Sequence, residues 1–414
     1  MRIVYIHQHF ATTKSATGTR SYEMAQRLIQ RGHQVTMICG ALELSDFSTD
    51  LKERVTRFEV DGIDVRCVNQ PYANKMGFYQ RMWAFLRFAQ TATTLAIEAK
   101  PDLIFATSTP LTVGIPAMRA SKRLKVPFVF EVRDLWPELA VALEVVKSKT
   151  LIAGARWLER KTYFSARRII ALAPGMKEGI CETGYPAERV TIVPNGCDLD
   201  LFQPSEERAT RADLGGDDFK LVFTGAHGLA NGLDAVLNAA VELKQRGERG
   251  VKFIFIGAGR EKPRLMERTK SEQLDEYVIW KDLMPKQELA ALLPQIDVGM
   301  MILKNVRGFY FGTSPNKFFD YIASGMPVLN NYPGWLAGMI EEAGCGKVVP
   351  PDDPAAFADA VVWMRDHRRE CREMGRRARL LAEERFGRDT LGERFVDTIE
   401  LAAREAGIMQ ESPA

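Results

Sequence analysis

Two stretches of this 414-residue chain open on the same plan. The first runs from the apolar strand Arg2-Ile3-Val4-Tyr5-Ile6 through a polar loop (His7 to Thr19) into a helical pattern. Tyr22, Ala25, Leu28 and Ile29 fall on one face of that helix, Gln30-Arg31-Gly32 closes it, and Val35-Thr36-Met37-Ile38 is the next strand. The second has the strand Lys220–Thr224, the glycine loop Gly225–Gly232, a helix Leu233–Gln245, the closing Gln245-Arg246-Gly247 and the strand Val251–Ile256. Strand, glycine loop, helix, strand is a βαβ unit, and its short apolar strands are the kind buried on both faces of a parallel sheet. Meeting that plan twice, far apart, predicts two parallel sheets with two cores.

Apolar runs bounded by breakers continue each half. Asp102–Ala106, Pro127–Val132, Arg168–Leu172 and Val190–Val193 read as strands of the first half, with helices at Thr112–Lys122 and Ala153–Ser165. In the second half Val278–Trp280, Val298–Leu303 and Pro327–Leu329 read as strands, with helices at Lys286–Leu293 and Pro315–Ser324. One long charged helix is expected from Ala355 to about Ala382, and an amphipathic one over Thr390–Ala406. The polar, glycine-containing stretch 203–219 suits a linker. The expected architecture is α/β: two Rossmann-like, doubly wound parallel-sheet domains facing across a cleft. The first spans 1–202 and the second 203–389, with a helix over 390–410 packing back on the first.

Composition narrows the function. With 56 basic and 53 acidic residues the net charge is +3, which argues against a nucleic-acid binder working through bulk charge. The six cysteines form no CxxC pair and have no histidine at zinc-finger spacing, so they read as reduced core thiols. The N-terminus lacks the apolar core of a secretion signal, and no run reaches a membrane-spanning length. The expected location is cytoplasmic, or bound to a membrane surface from the cytoplasmic side.

Several segments carry candidate chemistry. Ligands of open α/β sheets sit at the carboxyl ends of the strands, where helix N-termini bind anions. In Ser314-Pro315-Asn316-Lys317-Phe318-Phe319-Asp320, Ser314 suits an N-cap and Pro315 the first helical position. The first-turn amides and Lys317 are suited to a diphosphate, and Asp320, about one turn on, to ribose hydroxyls. A capped surface helix would look the same. Arg133 and Asp134 end a strand, as candidate acceptor contact and proton acceptor or as a structural ion pair; His7 and His9 end the first strand, as candidate base or acceptor ligands or as satisfied loop histidines. Asp198-Leu199-Asp200 looks like a metal motif, but its place after Pro194-Asn195-Gly196 favours a cap or hinge. Gly257-Ala258-Gly259 lacks the third glycine of a dinucleotide fingerprint. In segment 75–89 an apolar stripe (Phe78, Met82, Phe85, Leu86, Ala89) combines with Tyr79, Trp83, Phe88 and the cations Lys75, Arg81 and Arg87. Such a helix suits a membrane interface, with Phe78, Arg81, Trp83, Phe85 and Arg87 as the contacts; packing on the sheet is the alternative.

The run from Ser314 to Leu329, with its Ser-Gly-Met-Pro-Val ending, resembles the donor-binding signature of GT4-type retaining glycosyltransferases of the GT-B fold. That signature has two glutamates eight positions apart; Asp320 stands at the second and Gly312 at the first. Phe130–Glu138, Gly18–Glu23 and Pro194–Asp198 also resemble family segments, closest to a subgroup of O-antigen N-acetyl-fucosamine transferases. The wider family's Arg and Lys in the second glycine loop are Ala226 and Asn231 here. The resemblance implies a donor site of Gly18, Arg20, Gly225, His227, Gly257, Ser314, Pro315, Asn316, Lys317 and Asp320, catalytic roles for Lys317, Asp134 and Arg133, and acceptor contacts at His7, His9 and Arg133. It implies transfer of an N-acetylated hexose from a UDP-sugar to a polyprenyl-diphosphate-linked saccharide at the cytoplasmic face of the inner membrane, with no metal or other cofactor. A UDP-sugar 2-epimerase and a non-catalytic nucleotide-sugar-binding scaffold are the alternatives; a nicotinamide-dependent dehydrogenase is disfavoured by the absent fingerprint.

Overall fold

The computed structural model describes residues 1–12, 18–42, 53–72, 76–142, 146–205 and 212–410. Lys75 and part of the expected linker (206–211) lie outside them, and the side chain of Phe78 is not described. The chain divides into two compact units, Met1–Pro194 with Gly312–Ser314 and Asp389–Ala414, and Asn195–Phe311 with Pro315–Arg388. The first division falls after Pro194 rather than after residue 202.

The first unit runs β1 (Arg2–Ile6), α1 (Arg20–Gln30), β2 (Gln34–Leu42), β3 (Val55–Val60), β4 (Ile63–Tyr72), α2 (Phe78–Glu98), β5 (Leu103–Thr107), α3 (Gly114–Leu124), β6 (Phe128–Val132), α4 (Glu138–Ala142), α5 (Lys149–Ser165), β7 (Arg168–Ala171), α6 (Pro174–Glu182) and β8 (Val190–Ile192). Its eight-stranded sheet has the order β3-β4-β2-β1-β5-β6-β7-β8. Every pairing is parallel except the β3–β4 hairpin, which turns at Asp61-Gly62 with both residues at positive φ. β5 and β6 are buried at every position, as central strands covered on both faces must be.

The second unit runs β9 (Phe219–Thr224), α7 (Asp234–Gln245), β10 (Val251–Ile256), α8 (Lys262–Ser271), β11 (Val278–Lys281), α9 (Lys286–Leu292), β12 (Val298–Met301), α10 (Asn316–Ala323), β13 (Val328–Asn330), α11 (Trp335–Ala343), β14 (Gly346–Val348), α12 (Pro354–Asp366) and α13 (Arg368–Arg385). Its six strands are all parallel, in the order β11-β10-β9-β12-β13-β14. The strand order reverses direction between β9 and β12, so the loops after these two strands flank the switch point where such sheets bind ligands. The single helix expected from 355 to 382 is two, because His367 (φ −115°, ψ 52°) leaves helical geometry between α12 and α13.

The last helix, α14 (Arg388–Arg404), packs against the first unit from Asp389 on. Phe395 meets Phe105 edge to face at 5.0 Å, Glu400 Oε1 lies 3.1 Å from His33 Nε2, and Asp397 accepts from Arg31 at 2.8 Å. Where the chain leaves the second unit, Cys197 and Gly387 form an isolated parallel bridge: Cys197 N–H donates to Phe386 O at 2.7 Å and Arg388 N–H to Cys197 O at 3.2 Å.

No helix among the described residues is long and apolar enough to cross a membrane. α2 buries Ala84, Phe88, Ala89 and Ala92. Its aromatics therefore do not circle the helix: Phe88 belongs to the core and Phe85 is half-buried, while Tyr79 (84% exposed), Trp83 (63%) and Leu86 (44%) project outward. Arg87 is exposed and Arg81 half-buried on the same helix.

Candidate functional site

In the first unit the sequence-nominated residues meet at the carboxyl ends of β1, β5 and β6. The hub is Glu131, fully buried near the end of β6. A carboxylate inside an apolar strand needs partners, and it has three. Arg20 donates to Oε1 through Nε (3.0 Å) and Nη2 (2.8 Å), Thr107 donates to Oε2 at 2.6 Å, and Arg133 Nε lies 3.4 Å from Oε2. Burial works against its ionisation, yet the Arg20 and Arg133 charges and the hydrogen bonds prevail and hold its pKa below the usual carboxylate value.

Arg20 is thereby engaged inside the fold. Its remaining donors reach Pro194 O (2.7 Å) and Val193 O (2.9 Å), so it ties the start of α1 to β6 and to the segment after β8. The guanidinium, nominated as a donor contact, is buried against these protein atoms. Gly18 is exposed in the turn before α1.

Arg133 extends from the Glu131 carboxylate to His7, with Nη1 3.2 Å from Nε2. A guanidinium only donates, so Nε2 accepts and Nδ1 carries the ring proton. Nδ1 is buried with no hydrogen-bond partner among the described residues. Burial, then Arg133, then His9 push the His7 pKa well below the usual imidazole value, and burial and Arg133 take His9 down to about 4. Both rings are neutral at pH 7, which suits donors or ligands better than bases that titrate there. Asp134 behaves differently. Burial raises its pKa to about 6 against the opposing Thr109 hydrogen bond (3.2 Å) and the Arg133 charge. It is mostly ionised at neutral pH and still basic enough to take a proton.

In the second unit the loop after β9 and the start of α10 come together. α10 starts at Asn316, with Pro315 in extended geometry (φ −75°, ψ 127°) at the cap position and no side-chain cap. This shifts the helix start one residue from expectation, with Pro315 rather than Ser314 at the cap position. The first-turn amides, Asn316 and Lys317 among them, have no intrahelical acceptor. Tyr321 fixes the helix to the sheet: its hydroxyl oxygen accepts from Thr224 N–H at 2.9 Å, and a Cβ on Gly299 would collide with its ring at 2.4 Å from Cγ, so β12 must carry glycine there.

Lys317 then lies over the Phe223 ring, Nζ 4.0 Å from the centroid, and donates to Asn231 Oδ1 at 3.3 Å. A Cβ on Gly225 would stand 3.6 Å from its Cε. No carboxylate pairs with it among the described residues, and burial lowers its pKa to about 7. Asn231, at the position where the wider family has Lys, braces the loop by donating to Ala226 O at 2.7 Å.

His227 and Gly257 adjoin this loop, and Asp320 faces other neighbours. The His227 ring is fully buried among Phe223, Phe255 and Trp280, with centroids 6.0, 6.2 and 5.7 Å away. Burial, helped by Lys262 and Lys317, takes its pKa to about 4. The ring is neutral at pH 7, and both of its nitrogens are buried without a hydrogen-bond partner among the described residues. Gly257 is glycine (φ 148°) because a Cβ there would overlap Gly225 O, and Gly259 because a Cβ would meet His227 O at 2.4 Å. The Gly-Ala-Gly run thus admits the neighbouring loop. Asp320 is buried 3.8 Å from Lys286 Nζ, which also lies 3.9 Å from Asp198 Oδ2, and Arg388 donates to that oxygen at 2.7 Å. Burial, together with the Asp198 charge, raises the Asp320 pKa against the pull of Lys286 and Arg388. Asp320 is the third residue after Lys317 on one helix, but the two serve different neighbours: an internal ion cluster and a glycine loop. Asp198 also caps the next turn, accepting from Leu201 N–H at 3.2 Å.

Residues 15–196 match the family described as Glycosyl transferase 4-like domain, and residues 218–367 the family described as Glycosyl transferases group 1. The chain is similar to the probable glycosyltransferase WbjE of Pseudomonas aeruginosa, 26% identical over 72% of this chain and 75% of that protein. It is also similar to the D-rhamnosyltransferase WbpZ of the same species, 26% identical over 57% of this chain and 59% of that protein. Among solved structures, sucrose-phosphate synthase from Thermosynechococcus elongatus superposes with a TM-score of 0.77 at 15% identity, covering 98% of this chain and 99% of that one. Anabaena HepE in complex with UDP-glucose superposes with a TM-score of 0.69 at 16% identity, covering 97% of this chain and all of that one.

Proposed function

Since the chain belongs to the GT4-like, group 1 glycosyltransferases of GT-B architecture, we propose that it moves a sugar, an N-acetylated hexose, from a UDP-sugar held by the second unit to a polyprenyl-diphosphate-linked saccharide, in the synthesis of a bacterial surface polysaccharide. One observation carries the donor half of this reading: Lys317 is a partly buried cation with no carboxylate partner among the described residues, beside a glycine loop and a helix start. A diphosphate there restores the missing counter-charge and accepts from the α10 amides. Departure of UDP concentrates negative charge on that diphosphate. A preorganised ammonium and amide dipoles stabilise it more in the transition state than in the ground state. Retention of configuration then needs no protein nucleophile, and the Asp134 carboxylate or the leaving phosphate takes the acceptor proton. His7, through its unpartnered Nδ1–H, and Arg133 orient the acceptor.

The acceptor class is supported by α2, whose exposed Tyr79, Trp83 and Leu86 share a helix with Arg81 and Arg87 as a membrane-interface helix requires. The protein would then work from the cytoplasmic face of the inner membrane. The reading is tested by incubating the enzyme with UDP-sugars with and without lipid-diphosphate-linked saccharide. Acceptor-dependent release of UDP is the expected result. Isomerisation of the UDP-sugar without acceptor overturns transfer in favour of 2-epimerisation, and binding without turnover in favour of a scaffold.

A further inference from the structure

Parallel pairing sets the amino ends of β6, β7 and β8 side by side on the first unit. The turn entering each strand carries a cation. Lys125 precedes β6 in left-handed geometry (φ 59°), Arg167 directly precedes β7, and Arg189 directly precedes β8. The three line one cavity of about 420 Å³ with Phe128, Ser165 and Ile408, and no acidic side chain lines it. None of the three side chains has a hydrogen-bond or ion-pair partner among the described residues. Their neighbour Arg168 is different: Glu405 and the Glu188 carbonyl engage it at 2.5 and 3.2 Å. Tyr185, whose hydroxyl donates to Ala166 O at 3.1 Å, stands close enough to feel Arg189, Arg168 and Arg167; they pull its pKa down while burial pushes it up to about 12.

Like charges gathered around one cavity repel, and an anion between them removes that repulsion. Cations arriving from three strand entries suit a ligand with several charged oxygens pointing in different directions, and two guanidiniums can each hold it bidentately. We propose that this cavity is a binding site for a phosphate-bearing anion. It is distinct from the candidate reaction centre, because β6 itself separates them: five residues at about 3.3 Å each put about 17 Å between the Phe128 end and the Arg133 end. It goes beyond the transfer reading and does not depend on it. The ligand chemistry is shared by a soluble diphosphate and by the headgroup of an acidic phospholipid.

The full chain is titrated calorimetrically with inorganic pyrophosphate, with saturating UDP present to occupy the second unit. In a parallel arm it is sedimented with phosphatidylcholine vesicles with and without phosphatidylglycerol. Binding in at least one arm is expected, weakened about tenfold or more in the triple variant Lys125→Gln, Arg167→Gln, Arg189→Gln, as loss of charge-assisted hydrogen bonds predicts. UDP affinity of that variant stays unchanged, which shows it is folded. Saturable pyrophosphate binding identifies a soluble ligand, and phosphatidylglycerol-dependent sedimentation alone identifies a lipid headgroup. Should the triple variant not fold, the single variant Arg189→Gln, at an exposed residue, is expected to lose binding by several-fold. Wild-type protein that binds in neither arm, or a folded variant that binds as wild type does, overturns the site. A protein that binds pyrophosphate but not UDP fails the donor reading and leaves this one standing.

Discussion

Lys317 holds its ammonium 4.0 Å from the centre of the Phe223 ring, with a single asparagine oxygen for a hydrogen-bond partner. The aromatic face and Asn231 compensate the charge only in part, so burial leaves its pKa near 7. Binding of a diphosphate must raise that pKa, and the protein must therefore take up a proton as UDP binds. Calorimetric titrations in buffers of different ionisation enthalpy should show this uptake near pH 7. Affinity should fall as pH rises above about 7. Lys317→Met should abolish the uptake and lower turnover by about 10²-fold or more. The folded pKa lies below the unfolded one, so the protonated form is disfavoured by folding; the wild type should gain stability as pH rises from 7, and the Met variant should be at least as stable as wild type at pH 7.

Asp134 titrates near pH 6 because burial outweighs Thr109 and Arg133. If it accepts the acceptor proton, turnover should rise with pH through about 6 and level off above it. Asp134→Asn should flatten that limb and lower the rate. A variant with wild-type rate and profile would assign the proton to the donor phosphate.

The Arg20–Glu131 pair is buried on both sides. Glu131→Gln should cost about 3–5 kcal/mol in unfolding free energy, since it leaves a buried guanidinium without its counter-charge. UDP affinity of the variant that remains folded should match wild type. A selective loss of UDP binding without loss of stability would return Arg20 to the donor site.

Tyr321→Phe removes the acceptor of the Thr224 amide and should destabilise the second unit by about 1–3 kcal/mol in denaturant titration. Because α10 carries Lys317, turnover should fall as well.

Replacing Tyr79 and Trp83 with Ser removes two exposed aromatics of α2. Flotation with vesicles should weaken while soluble UDP binding is retained. Unchanged flotation would assign membrane association to another surface.

Much of the fold was legible because its strands are largely apolar runs between breakers, as Phe128–Val132 and Phe219–Thr224 are. The β3–β4 hairpin was not: only one face of each strand is covered, and Val55–Val60 mixes charge with bulk in a way that marks no element. The break at His367 was equally invisible, since helical periodicity passes through it and only the dihedral angles depart. Within the site, the Lys317 and Gly225 segments were readable as separate motifs, and their meeting needed tertiary structure. His227 and Asp320 show the limit. A histidine in a glycine loop looks exposed until three aromatics close on it, and an acid one turn from a lysine looks like its companion until each meets different neighbours. Glu131 did leave a signal, an ionisable group in an apolar strand, which calls for buried counter-charges such as Arg20 and Arg133.

The return of α14 to the first unit sets the order of synthesis against the order of completion. β8 ends at Ile192, so every strand of the first sheet is available before the second unit emerges. Yet Phe105, His33 and Arg31 meet Phe395, Glu400 and Asp397 only when the final helix arrives. A nascent chain arrested after β14 therefore carries a second sheet with all its strands and a first unit with an open apolar seam. That seam is where a chaperone would be needed, and where a truncation of the last helix would be felt first.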